Sequence, residues 1–401
     1  MTLPVVLGIT AATLGLGFIQ KSPCLGSWAD GRQYRLLCYS DIVPLFHTEG
    51  LDQGLVPYLE ARNEYPVLTG FAMAAAGLPA DTYAGFFAWN AVMLTGFALL
   101  TSLALWRLVG ARALYFAAAP TLLIYGFVNW DLIAVGLATL GTWAYLRARD
   151  GPAGLLLGLG AAAKLSPGLL AAPFALGRLR ERRVAAGAGL AGSAALAWAA
   201  VNLPVALAAP DRWGEFFRFN AARVADWDSL WALSQRHLGW PGSTGVVNLL
   251  SAIAFVAVAV TLWLATERVR PRFPAWSFGF PLLVAFLLTN KVYSPQFSLW
   301  LLPWFALALP SPGLFAAFSV AEVAVFVTRF SFFGEMAGLG GMPRGAFEAA
   351  VLVRAAVLVA CVVAWIRRPA PPLAAQNPEY SGLSAQGAGN EEYSGFSGGG
   401  A

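Results

Sequence analysis

Asp41 stands between Ser40 and the apolar stretch Ile42-Val43-Pro44-Leu45-Phe46. A carboxylate beside apolar surface loses hydration, its pKa rises, and it becomes a usable general base. An aspartate before such a stretch equally fits a helix N-cap, and spacing leaves the two readings even. Asn129-Trp130-Asp131 opens another apolar run. Asp131 is expected to cap it, although a carboxylate at membrane depth is costly unless paired or used. Lys164 lies within Ala-Ala-Ala-Lys-Leu-Ser-Pro-Gly and is one of only three lysines among 26 basic residues. Pairing with an inward acid, contact with a lipid phosphate and snorkelling to a surface all fit it.

Asn290-Lys291-Val292-Tyr293-Ser294-Pro295-Gln296 joins two apolar runs. Lys291 suits a phosphate as a point charge, with Ser294 and Gln296 as hydrogen-bonding partners. Arg62 and Arg329 are expected on the same outer face, with Arg32, Arg35, Arg212, Arg218, Arg223, Arg236 and Arg344. Cations out of place on that face suit an anionic partner, either a polyprenyl phosphate or lipid headgroups. His47 and His237, the only histidines, lack metal-ligand spacing. Cys24 and Cys38 flank one loop and are positioned to pair if that loop is extracytoplasmic; spacing alone leaves this open.

These residues need apolar elements to hold them. The chain has 401 residues, 58% hydrophobic and 12% charged, against about 25% charged in soluble domains. Its mean hydropathy is +0.63. A soluble enzyme, a collagen-like fibre and a fully disordered chain are excluded. Long alanine–leucine runs argue for helices rather than an outer-membrane barrel. At about 20 residues per crossing, roughly ten to twelve spans fit. The expected runs are 3–19, 82–106, 113–127, 132–146, 153–163, 168–176, 184–208, 246–264, 276–288, 297–309, 314–327 and 350–366. Runs 153–163 and 168–176 are short, and read either as thin helices or as a return loop around Lys164. Pro66–Pro79 is expected to be an interfacial or re-entrant helix.

Arginine clusters at 107/112, 147/149, 178–183, 268–272 and 367/368 all fall at alternate ends of these runs. The positive-inside pattern places them in the cytoplasm. The opposite loops then carry most acids, and the long first extracytoplasmic loop is the densest polar region. The expected domains are a transmembrane unit over 1–368 and a disordered cytoplasmic tail over 369–401, where Glu-Tyr-Ser-Gly occurs twice. No longer repeat supports a transporter of two related halves. Scattered arginines argue against nucleic acid. No Walker lysine, Rossmann glycine set, HExxH or serine elbow is present, so no cofactor or metal is expected.

The ordered pieces Tyr39-Ser40-Asp41, Pro57-Tyr58, Glu64-Tyr65-Pro66, Asn129-Trp130-Asp131, Ala163-Lys164-Leu165-Ser166-Pro167 and Asn290-Lys291 to Gln296 carry a resemblance. The chain resembles actinobacterial, polyprenol-phosphate-sugar-dependent enzymes of glycosyltransferase family 87, in the multispan GT-C superfamily. Their best characterised members are alpha-mannosyltransferases. The resemblance implies an all-α, GT-C-like polytopic bundle at the cell membrane with its active site on the extracytoplasmic side. It implies a polyprenyl-phosphate sugar donor, mannose first, and a lipid-linked or glycan acceptor. Asp41 matches the family's proposed base; inversion would convert a beta-linked donor to an alpha-linked product. Glu64, Tyr65, Asn129, Asp131, Lys164, Asn290 and Gln296 fall on matching pieces and are expected to bind substrate. Lys291, Arg329 and Arg62 are expected, from placement, to meet the phosphate. The family's frequent Tyr-Pro-Pro is Tyr65-Pro66-Val67 here, and His237 corresponds by position in an outer loop but by no motif. The competing reading is a transporter or flippase of lipid-linked sugars, motivated by Lys164 and the break near Pro167; a noncatalytic scaffold is the third.

Overall fold

The computed structural model describes residues 1–369 and 373, except 27, 29 and 241. The expected tail therefore lies almost wholly outside the described residues. Helices of ten or more residues are numbered here in chain order: α1 Leu3–Lys21, α2 Val67–Gly77, α3 Tyr83–Val109, α4 Asp131–Leu146, α5 Asp150–Ala163, α6 Ser166–Arg180, α7 Val184–Ala208, α8 Thr244–Val269, α9 Gly279–Thr289, α10 Pro312–Met336 and α11 Arg344–Arg367. The protein is an all-α helical bundle. Among the described residues, extended pairing is limited to one bridge between Pro57 and Ala61.

Among the described residues, six helical segments are long and apolar enough to cross a membrane: Leu3–Cys24, Tyr83–Ala117, and those of α7, α8, α10 and α11. The other expected runs form shorter or broken helices. Run 113–127 divides into turns around Pro120, whose ring opens a new helix at Ala119–Pro120. Run 297–309 begins as a 3-10 helix and ends as the short helix Leu302–Leu307. α2 is an 11-residue helix joined to α5 through Thr69, which donates to the Ala163 carbonyl.

The arginine clusters gather at one end. Trp106 at the end of α3 donates to the Met1 carbonyl. Arg178 pairs with Asp150 at 2.6 Å and donates to the Tyr145 carbonyl. Arg180 pairs with Glu267, and Arg270 donates to the Arg368 carbonyl. α3 and α4 run in the same direction, with Trp130 bonded to Asn90 near their starts. The starts of α3 and α4 thus lie away from the arginine end.

α4, α5 and α6 contain 16, 14 and 15 residues, roughly 21–24 Å at 1.5 Å per residue. Neighbouring α7 has 25 residues and spans about 38 Å. The three short helices therefore stop well below the end that α7 reaches. Asp131 and Lys164 sit where they stop. Glycine permits this packing: a Cβ on Gly154 or Gly158 would run into the Leu190 or Ala194 carbonyl of α7.

Above this floor lies the first loop. Cys24 and Cys38 form a disulfide with Cα atoms 5.7 Å apart, which resolves the pairing left open by spacing. Asp41 N donates to Val128 O, and Ser40 Oγ donates to Phe127 O. Tyr58, fully buried against Gly70, donates from its hydroxyl to the Tyr65 and Pro66 carbonyls. These bonds fix both ends of the loop against the bundle.

Candidate active site

A cavity of about 790 Å³ opens between the first loop, the floor of short helices, the segment 216–223, the 290–297 turn and α10. Six charged side chains line it: Asp41, Glu64, Lys164, Arg223, Lys291 and Arg329. Tyr65, Asn129, Asn290 and Gln296 also reach it, as do the rings of Phe216, Phe297 and Phe330.

Asp41 precedes the short helix Ile42–Thr48 without capping it through its side chain. Its Oδ1 accepts 2.7 Å from the Tyr39 hydroxyl, and its Oδ2 a long 3.5 Å contact from Asn129. Tyr39 is fixed by stacking on Phe330, ring centres 4.7 Å apart. Burial pushes the Asp41 carboxyl above its usual range, while Tyr39, Lys164 and Asn129 pull it back. Of its oxygens, Oδ2 is the less occupied.

Asp131 is fully buried beneath the cavity rather than lining it. Its Oδ1 accepts from Trp300 at 2.7 Å, and its Oδ2 meets Lys164 at 3.4 Å. Of the three readings of Lys164, pairing with an inward acid is the one observed. Its ammonium also lies 4.8 Å from the Phe297 ring centre and 5.6 Å from that of Tyr65.

The opposite wall is cationic. The Lys291 ammonium donates to the Arg223 and Ala221 carbonyls. Burial and then Arg223 lower its pKa. Arg223 pairs with Asp226 at 2.8 Å. Arg329 is held by Asp228 at 2.7 Å and Asp226 at 3.2 Å, so its charge is already met within the protein. Burial works to raise Asp226, but Arg329 and Arg223 override it and hold the carboxyl below its usual range. Behind them Arg354 reaches Asp228 and lies over the Tyr293 ring.

Besides Asp131, two more of the expected residues do not line the cavity. The Arg62 side chain is 77% exposed and meets Glu215 at 3.8 Å, while the next residue, Asn63, is the one turned inward. His237 pairs with Glu348 at 2.8 Å, drawn there by the carboxylate near the start of α11. Conversely, Tyr39, Asn220 and Arg223 reach the cavity without having been singled out as site residues. The signal for Arg223 was its place among the outer-face cations suited to an anionic partner. Among the described residues, no three His, Cys, Asp or Glu side chains are grouped as around a metal ion.

No curated protein matches the chain. Solved structures similar to it include the crystal structure of ArnT from Cupriavidus metallidurans in the apo state, at 14% identity and a TM-score of 0.44, covering 91% of this chain and 76% of that one. The model of glycosyltransferase family 87 matches residues 64–295, which include Glu64, Asn129, Lys164 and Lys291 and leave Asp41 outside. That match spans more than half of the chain, from the end of the first loop to the cationic turn, and the protein belongs to glycosyltransferase family 87.

Proposed function

We propose that this membrane glycosyltransferase moves a hexose, mannose first, from a polyprenyl-phosphate donor to a lipid-linked or glycan acceptor within the 790 Å³ cavity. The observation that carries the reading is the cavity's division: a partly desolvated carboxylate on one wall, cations on the other. Asp41 Oδ2 takes the proton of the acceptor hydroxyl as that oxygen attacks the anomeric carbon. The bond from that carbon to the phosphate oxygen breaks in the same displacement, and the phosphate leaves with the electron pair. Configuration inverts. Negative charge grows on the departing phosphate, and preoriented cations stabilise it more than the ground state. Arg223 and Lys291 are the lining cations best suited to this, with Lys164 on the floor; Arg329 holds Asp226 and Asp228 in place.

The Cys24–Cys38 disulfide favours an oxidising, extracytoplasmic surroundings for the first loop. The arginine clusters at the far end support the same orientation. The test uses protein in nanodiscs, polyprenyl-phosphate mannose and octyl mannoside as acceptor. Asp41→Asn is expected to lower kcat about 10²–10⁴-fold, the usual range for general-base removal, with unchanged folding. Wild-type turnover by this variant would remove Asp41 from the role.

A further inference from the structure

Most polar groups around the cavity already have protein partners. Tyr39 and Asn129 hold Asp41, Asp131 holds Lys164, backbone carbonyls hold Lys291, and Asp226 holds Arg223. Glu64 and Gln296 are among the groups that do not. Neither Glu64 nor Gln296 makes a side-chain hydrogen bond or ion pair to any described residue, yet both line the cavity. Gln296 is only 5% exposed, so its amide has little to meet besides the cavity's contents.

Both are held on rigid backbone. Beside Glu64, Asn63 Oδ1 accepts from Tyr65 N at 2.9 Å, and Tyr58 locks the Tyr65 and Pro66 carbonyls. Tyr65 is set edge-on against Trp130, ring centres 5.2 Å apart. Beside Gln296, Ser294 Oγ reaches Asp226, and Phe297 stacks on Trp300 at 4.4 Å. A half-buried carboxylate left without donors is unfavourable until something supplies them. Burial and the charge of Asp41 accordingly raise the Glu64 pKa.

A carboxylate only accepts hydrogen bonds, whereas an amide both donates and accepts. A phosphate would be repelled by Glu64. Hydroxyl-rich ligands supply donors to both groups, and the neighbouring Tyr65 and Phe297 rings suit the apolar faces of sugars. We infer that Glu64 and Gln296 read the hydroxyl pattern of the acceptor sugar, and so set acceptor specificity. This rests on the glycosyltransferase reading and adds a specificity role that the base and the cations do not perform.

The probes are octyl α-mannopyranoside and its 2-, 3-, 4- and 6-deoxy analogues. Binding to full-length protein in nanodiscs is followed by tryptophan fluorescence, since Trp300 lines the cavity, and transfer is assayed alongside. Wild type is expected to bind at least one deoxy analogue about ten-fold or more weakly than the parent, as for a hydroxyl bonded to a charged group. Glu64→Ala and Gln296→Ala should each bring parent and analogue within about three-fold, with KM affected more than kcat. Neither side chain holds another protein group, so both variants should keep the wild-type Tm. Asp41→Asn should lose turnover but keep the discrimination. Equal binding of all analogues by wild type, or unchanged discrimination in both alanine variants, overturns the assignment while transfer by wild type leaves the enzyme reading intact. A wild type that neither binds the glycosides nor transfers sugar overturns both.

Discussion

Asp41 has two unequally held oxygens, and that inequality predicts its pH behaviour. Tyr39 donates to the ionised carboxylate at 2.7 Å, which favours the charged form. Tyr39→Phe removes that donor, so the Asp41 pKa should rise further. If Asp41 is the base, the acid limb of kcat/KM should move to higher pH, read from a pH–rate profile. A limb that stays in place would separate Tyr39 from the base. Glu49 gives a second residue-scale prediction. Burial, then the charges of Glu64 and Glu215, raise its pKa from the usual 4.5 to about 7. Between those values the folded protein holds a proton that the unfolded chain has lost, so stability falls as pH rises through that window. Glu49→Gln is expected to melt above wild type at pH 8, with the gap closing towards pH 4.5; thermal scans across pH measure it.

At the scale of elements, three short helices decide the depth of the site. α4, α5 and α6 end at Asp131 and Lys164, so the cavity floor is recessed within the bundle. α5 can lie close to α7 only because Gly154 and Gly158 present no side chain to its backbone. Gly158→Leu should force the pair apart and cost about 1–3 kcal/mol or more, as overpacking does. Gly192→Leu on α7 meets open space and should be tolerated. Detergent melting curves of the two variants provide the comparison; equal Tm values would contradict the close packing. The short runs 153–163 and 168–176 and the break at Lys164 between them were visible in the sequence, but the depth at which they stop was not. A hydropathy run marks apolar residues; only packing against α7 shows that these helices stop low.

Across the whole molecule, charge is divided by end. The arginine clusters interlock with Asp150, Glu267 and backbone carbonyls at one end. The disulfide and the cavity occupy the other. The proposed orientation predicts that Asp81→Cys, exposed just before α3, reacts with an impermeant maleimide in intact cells. Arg182→Cys, exposed at the arginine end, should react only after permeabilisation. The reverse pattern would invert the orientation and place the cavity in the cytoplasm.

Sequence by itself determined the membrane class, the helical architecture and the alternation of arginine clusters. These follow from composition and from apolar runs, which act locally along the chain. Much of the cavity was legible too: Asp41, Glu64, Tyr65, Asn129, Lys164, Asn290, Lys291, Gln296 and Arg329 all line it. Tertiary structure alone decided what each of these is bonded to. Lys164 is neutralised by Asp131, Arg329 by Asp226 and Asp228, and His237 is drawn away by Glu348. Such pairings join residues separated by 33 to 111 positions, and no local spacing encodes them. Because a buried charge must find a partner or remain costly, the fold assigns partners first, and Glu64 and Gln296 are among the cavity groups left without one.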